Sequence, residues 1–140
     1  MSDAAADILA IMTVSARLAQ AADDRDEAAY AACLAPTVDG PDGRDISAAD
    51  YARASIGRVA TMDWTHHRLV NPIVTIEDER ASACIDVVID MARRDPAGTE
   101  RHATMGGRYN LGFRRLDGEW RIDRRTLHRR YSKGDIDLIN

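Results

Sequence analysis

Four histidines occur in the chain, His66, His67, His102 and His128, and two of them stand side by side. They open the stretch Trp64-Thr65-His66-His67-Arg68-Leu69-Val70-Asn71-Pro72, which reads as extended. Side chains alternate faces along a strand, so only one of the pair can enter an interior cavity. Imidazole titrates near neutral pH, which suits it to proton transfer. A carboxylate beside it fixes the ring tautomer and raises its basicity. Such a pair can take a proton from carbon and return it to a leaving group without a metal or an organic cofactor. The four histidines show no HxH or HxxxH spacing and no cysteine lies near them, so no metal site is expected. Nor does the chain contain a phosphate-binding glycine loop, a GxSxG turn or a Cys–His signature.

The elements that must position these groups follow from the periodicity. With 140 residues, the chain has room for one domain, 1–140, with one core. Only one Phe, two Trp and four Tyr are present, so that core is mostly aliphatic. Ile8, Ile11, Met12, Ser15, Leu18, Ala19 and Ala22 recur at helical spacing, which predicts a helix from Ser2, its cap, to Ala22. Ala22-Asp23-Asp24-Arg25-Asp26 ends that helix and caps a second, Glu27 to Leu34, which Pro36 stops. Thr37 to Asp45 is rich in Gly, Pro and Asp and reads as a loop. Ser47-Ala48-Ala49-Asp50 resembles a capping box for a third helix that reaches Val59.

After Trp64 the period changes to two. Extended runs are expected over Trp64–Ile76, Ala81–Met91, His102–Leu116 and Glu119–Tyr131. Pro72 marks an edge or bulge in the first, Gly106-Gly107 a candidate bulge in the third, and Asp117-Gly118 a hairpin turn. The remaining tail reads as short and polar. Helices first and antiparallel strands after make an α+β fold, a curved sheet with helices and a ligand-sized cavity between them. Tyr109 shares a face with Leu111 and Phe113 and so lines the cavity, whereas a bulge at Gly106-Gly107 would turn Arg108 inward instead. Tyr51 either packs in the core or offers its hydroxyl from the third helix.

Charge narrows the partners. Between Arg101 and Lys133 ten Lys/Arg face three Asp/Glu, although the whole chain carries a net charge of -4. Aromatic residues are not interleaved with these charges as stacking platforms, so nucleic acid is not the expected partner; solvated strand faces account for them, with an anionic ligand as an alternative. No apolar run approaches the ~20 residues of a membrane span. No basic-then-apolar leader opens the chain, and the two cysteines form no CxxC pair, so a cytoplasmic setting is expected.

The ordered set Ala22-Asp23-Asp24-Arg25-Asp26, Thr65-His66-His67 with Asn71-Pro72, Gly107-Arg108-Tyr109, and Leu116-Asp117-Gly118-Glu119-Trp120-Arg121-Ile122 resembles the SnoaL-like branch of the nuclear transport factor two-like superfamily. The resemblance spans nearly the whole chain. It implies a cone-shaped α+β barrel, N-terminal helices packed on a strongly curved, mostly antiparallel sheet around an apolar pocket, in homo-oligomers of two or three chains. In the eliminating members a carboxylate at the helix junction pairs with a histidine on the first long strand, and Asp23 and His67 fall on those positions. The dehydrochlorinase type carries a lysine where this chain has Leu18. The scytalone dehydratase type carries a second histidine near Asp90 and Met91, where an Asp can serve as acid or orienting group. The function implied is a cofactor-independent lyase acting on an apolar, hydroxylated small molecule, aromatic ones included, by loss of water or of a small aldehyde. Asp23 and His67 are its catalytic candidates, and Tyr109, Arg108, Asp90 and Tyr51 its substrate-binding candidates. An isomerase, a polyketide-cyclase-like enzyme or a non-catalytic binding module is the alternative.

Overall fold

A computed structural model describes residues 3–139. Helix α1, Ala4–Asp24, begins at Asp3, whose carboxylate accepts from the Ala5 and Ala6 amides at 3.0 and 3.4 Å. The expected cap, Ser2, lies outside the described residues. The helix ends at Arg25, which takes the left-handed conformation (φ 54°) and closes the last turn onto Ala21 and Ala22. By length and hydropathy α1 could cross a membrane. Here its stripe of Asp7, Ile11, Ser15 and Leu18 packs into the core. Helix α2, Glu27–Ala32, is capped by Asp26, which accepts from the Ala29 amide at 2.9 Å.

The stretch read as a loop contains two short strands, β1 (Thr37–Asp39) and β2 (Asp45–Ser47), paired antiparallel. Val38 is fully buried and Ile46 packs against the core, and these two apolar side chains hold the ladder despite the turn-forming residues around it. Ser47 caps α3, Ala48–Val59, by accepting from the Asp50 amide at 3.1 Å. The reciprocal half of the capping box does not form, because the Asp50 carboxylate pairs with Arg53 at 3.0 Å.

The main sheet is an antiparallel meander of β3 (Trp64–Glu77), β4 (Arg80–Arg94), β5 (Glu100–Leu116) and β6 (Glu119–Gly134), in that order. Register shifts between Val70 and Ile73 at Asn71-Pro72, as proline requires. Two further shifts lie between β5 and β6, and both put the extra residue on β6. Asp123 is extra opposite Gly112/Phe113, and Arg130 opposite Gly106/Gly107. A Cβ on Gly107 would overlap the His128 carbonyl oxygen, so close backbone approach requires glycine there.

The helices pack on the inner face of this open sheet. Phe113, Ile11, Ile85, Leu111, Ile122, Val38 and Val87 fill the centre, an almost wholly aliphatic set. One polar clamp crosses it. Buried Asp7 of α1 accepts from Trp120 Nε1 at 3.0 Å and from Arg115 at 2.9 Å, and the Arg115 guanidinium lies 4.5 Å above the Trp120 ring. The chain's end also differs from the polar tail expected. A single 3-10 turn, Ile136–Leu138, brings Leu138 and Ile139 back onto the core.

Candidate functional site

Asp23 stands near the end of α1, two residues before the left-handed Arg25. The Arg25 side chain donates to the Asp23 carbonyl at 3.2 Å, and to the carbonyls of Val59, the last residue of α3, and Met62 just beyond it at 3.2 and 2.5 Å. It thereby fixes the helix end that carries Asp23. From β3, Thr65, His67 and Leu69 point inward, and His66, Arg68 and Val70 point outward. Asp23 Oδ1 lies 2.6 Å from His67 Nδ1 and accepts from Thr65 Oγ1 at 3.0 Å; Asp23 Oδ2 accepts from the His67 amide at 2.9 Å. The His67 side chain is 7% exposed and that of Asp23 17%. An ionised carboxylate can only accept, so the proton between the two belongs on Nδ1. The unshared pair on Nε2 is then free to act on a ligand.

His67 faces a cavity of about 470 Å³ between the sheet and the helices. Its wall is mostly apolar, with Leu18, Leu69, Ile89, Met105 and Leu111 prominent, and Leu138 and Ile139 from the chain's end. Tyr30, Tyr109 and Arg125 supply polar groups. The Arg125 guanidinium donates to the Tyr51 hydroxyl at 3.1 Å and to the Tyr109 hydroxyl at 3.4 Å, and lies 5.7 and 5.5 Å from the centres of those rings. Burial pushes the Tyr30 phenol above its usual range, against the pull of Arg125 and a hydrogen bond with Ser55. Burial works against the charge on Arg125, but the phenols of Tyr30, Tyr109 and Tyr51, once they ionise at high pH, and the hydrogen bond to Tyr51 keep its proton bound beyond the usual arginine range. Among the described residues no group of three or more His, Cys, Asp or Glu side chains converges as metal ligands would.

Of the six residues singled out, His67 and Tyr109 line this cavity, and Asp23 stands behind His67, outside the wall. Tyr51 stands behind Arg125 rather than in the wall. Two placements need correction. Arg108 lies on the outer face, where its Nε meets Asp86 at 2.8 Å, and Asn71 donates to the same carboxylate at 3.1 Å. The expected bulge does fall at Gly106-Gly107, but its extra residue belongs to β6. β5 keeps an unbroken register with β4 from Arg114 to Glu100, so its alternation never reverses. Asp90 also faces outward, between Thr104 Oγ1 at 2.6 Å and Arg68 at 3.0 Å, while its neighbours Ile89 and Met91 face the cavity. Arg125, Tyr30 and Thr65 were not anticipated as site residues. The only trace of Arg125 in the sequence is the excess of basic residues after Arg101.

The chain belongs to the SnoaL-like domain family, whose signature matches residues 3–126. Solved structures share the fold. An aromatic ring hydroxylase candidate from Novosphingobium aromaticivorans superposes with a TM-score of 0.78 at 24% identity, over 99% of this chain and 100% of that one. A scytalone dehydratase candidate from the same organism gives 0.74 at 17%, over 91% and 87%. A hexachlorocyclohexane dehydrochlorinase of type 2 gives 0.77 at 15%, over 92% and 88%. At these identities the likeness is one of fold. A search of curated protein sequences finds no match.

Proposed function

We propose that this protein is a lyase that removes water from an apolar, hydroxylated small molecule by proton transfer through Asp23 and His67. His67 Nε2 takes a proton from carbon, the electron pair of that C–H bond forms the new double bond, and the C–O bond on the neighbouring carbon breaks. The imidazolium returns its proton to the departing hydroxyl, which leaves as water, and Asp23 stabilises the positive ring throughout. The Tyr109 hydroxyl is available to donate to oxygen that gains charge as the C–H bond breaks. The observation that carries the reading is the 2.6 Å contact between His67 Nδ1 and Asp23, beside an apolar cavity. The names of two fold relatives, a dehydratase candidate and a dehydrochlorinase, agree with elimination as the reaction class.

The test is turnover of a panel of aromatic and alicyclic β-hydroxy ketones, read as loss of water by mass spectrometry. Activity should fall by a factor of 100 or more, roughly the contribution of one general base, in His67→Ala, with the fold retained. Undiminished turnover in that variant, on a substrate the wild type dehydrates, would sink the proposal.

A further inference from the structure

The acid–base pair leaves the other charge on this cavity unexplained. Three arginines, Arg58, Arg125 and Arg129, contribute to the wall, and no Asp or Glu does. Several other arginines reach carboxylates: Arg115 meets Asp7, Arg114 and Arg80 meet Asp123, Arg108 meets Asp86, and Arg68 meets Asp90. Arg125 has no carboxylate within 4 Å among the described residues. Its Nε and Nη1 donate to the hydroxyls of Tyr51 and Tyr109, and the rings of the same two residues lie beside the guanidinium. All of these are neutral partners. They satisfy part of the hydrogen-bonding capacity of the guanidinium and none of its charge. Tyr30 does not offset the charge either, because burial keeps its phenol protonated. Taking a cation out of water without a counter-ion is costly, so buried charges are ordinarily paired. Arginine also presents a planar fork that matches a carboxylate with two parallel hydrogen bonds. Nη2 of Arg125 makes no hydrogen bond among the described residues, which leaves one arm of that fork for a ligand.

We infer that the ligand of this cavity carries a carboxylate, that Arg125 is its counter-ion, and that Tyr109 and Tyr51 hold the guanidinium in place. The inference takes the proposed lyase cavity as the binding site and narrows its substrate class to hydroxylated apolar acids. The excess of basic residues after Arg101 is thereby partly accounted for. Arg125 faces inward to receive an anion, whereas Arg108 and Arg114 face outward and pair with carboxylates of the chain itself.

The experiment measures calorimetric binding of 1-naphthoate and of its neutral isostere 1-naphthamide. Neither has a hydroxyl to lose, so binding is read apart from turnover. Wild-type protein should bind the acid at least tenfold tighter than the amide. Arg125→Gln should erase that preference by weakening the acid tenfold or more and leaving the amide unchanged, and Arg125→Lys should keep part of it. His67→Ala should keep the preference in full, which separates a failure of this inference from a failure of the dyad. Equal affinity for acid and amide in the wild type, no binding of the acid, or equal weakening of both probes in a folded Arg125→Gln protein overturns it. If Arg125→Gln does not fold, the wild-type preference and Arg125→Lys decide.

Discussion

Replacing Asp23 by Asn changes one atom type and, by hydrogen-bond logic, should reverse the His67 ring. Three donors converge on the carboxylate: the His67 amide at 2.9 Å on Oδ2, and Thr65 Oγ1 at 3.0 Å and His67 Nδ1 at 2.6 Å on Oδ1. The backbone amide cannot become an acceptor, so the single oxygen of the Asn must take the Oδ2 position. That places the NH₂ group where Oδ1 was, facing Nδ1. Two donors cannot face each other, so the ring must carry its proton on Nε2, and Thr65 rotates to accept. The nitrogen turned toward the cavity is then a donor and no longer a base. A comparable carboxylate-to-amide change in a hydrolase triad lowers turnover by roughly 10⁴ through the wrong tautomer, and a loss of that order is expected here. Stability should suffer far less. Each hydrogen bond to a charged acceptor exceeds a neutral one by about 1 kcal/mol, and relief of carboxylate desolvation offsets part of the three, leaving about 2 kcal/mol. The assay needs no substrate. Nitrogen-15 shifts and two-bond couplings of the His67 ring, recorded with the ring neutral, report which nitrogen bears the proton. Nδ1–H in the wild type and Nε2–H in Asp23→Asn is the expected result. The same tautomer in both proteins would refute the reasoning, whatever happens to activity.

Two further outcomes concern the fold around the site. Asp7→Ala should cost about 3 kcal/mol in urea unfolding, because it leaves the buried Trp120 N–H without its acceptor and Arg115 with only the exposed Glu79 at 3.6 Å; a loss below 1 kcal/mol would mean that the clamp is unimportant. Tyr30 makes a pH-dependent contribution of predictable sign. Burial raises its folded pKa above 10.0, so the unfolded chain releases the proton first, and the contribution is whole below about pH 10 and lost as pH rises through the folded value. Stability of Tyr30→Phe should therefore fall less steeply above pH 10 than that of the wild type, and parallel curves would contradict the assignment.

The major elements are legible because their signals are redundant. Alternation from Ala81 to Met91, the Asp117-Gly118 turn and the stripe of α1 each point to one local structure, and tertiary packing does not override them. The histidine pair shows how far such reading reaches. Alternation separates His66 from His67 but cannot tell which one turns inward; that depends on where α1 ends relative to β3, and the family resemblance, not the spacing, selected His67. What escaped reading depends on partners distant in sequence. Val38 and Ile46 form a ladder only because both plug the same part of the core. Asp7 looks like an ordinary first-turn acid until Trp120 arrives above it. Arg125 was hidden by parity. Counted from the inward Trp120 and Ile122, strict alternation turns Arg124 inward and Arg125 out, and the extra residue at Asp123 reverses this.

That bulge makes β6 a strand in which chain length and cavity chemistry are linked. At 123 and 130 the ladder already carries one residue too many, so a deletion at either place leaves every neighbour on its present face. Loss or gain of a single residue elsewhere in the strand turns over all that follows. It would exchange an inward row of Arg125, Leu127 and Arg129 for Arg124, Thr126 and His128 without any substitution. Among diverging SnoaL-like chains, a one-codon insertion or deletion in the last strand is thus a route to a new ligand preference, and where a gap is placed in an alignment of that strand is a statement about what the cavity binds.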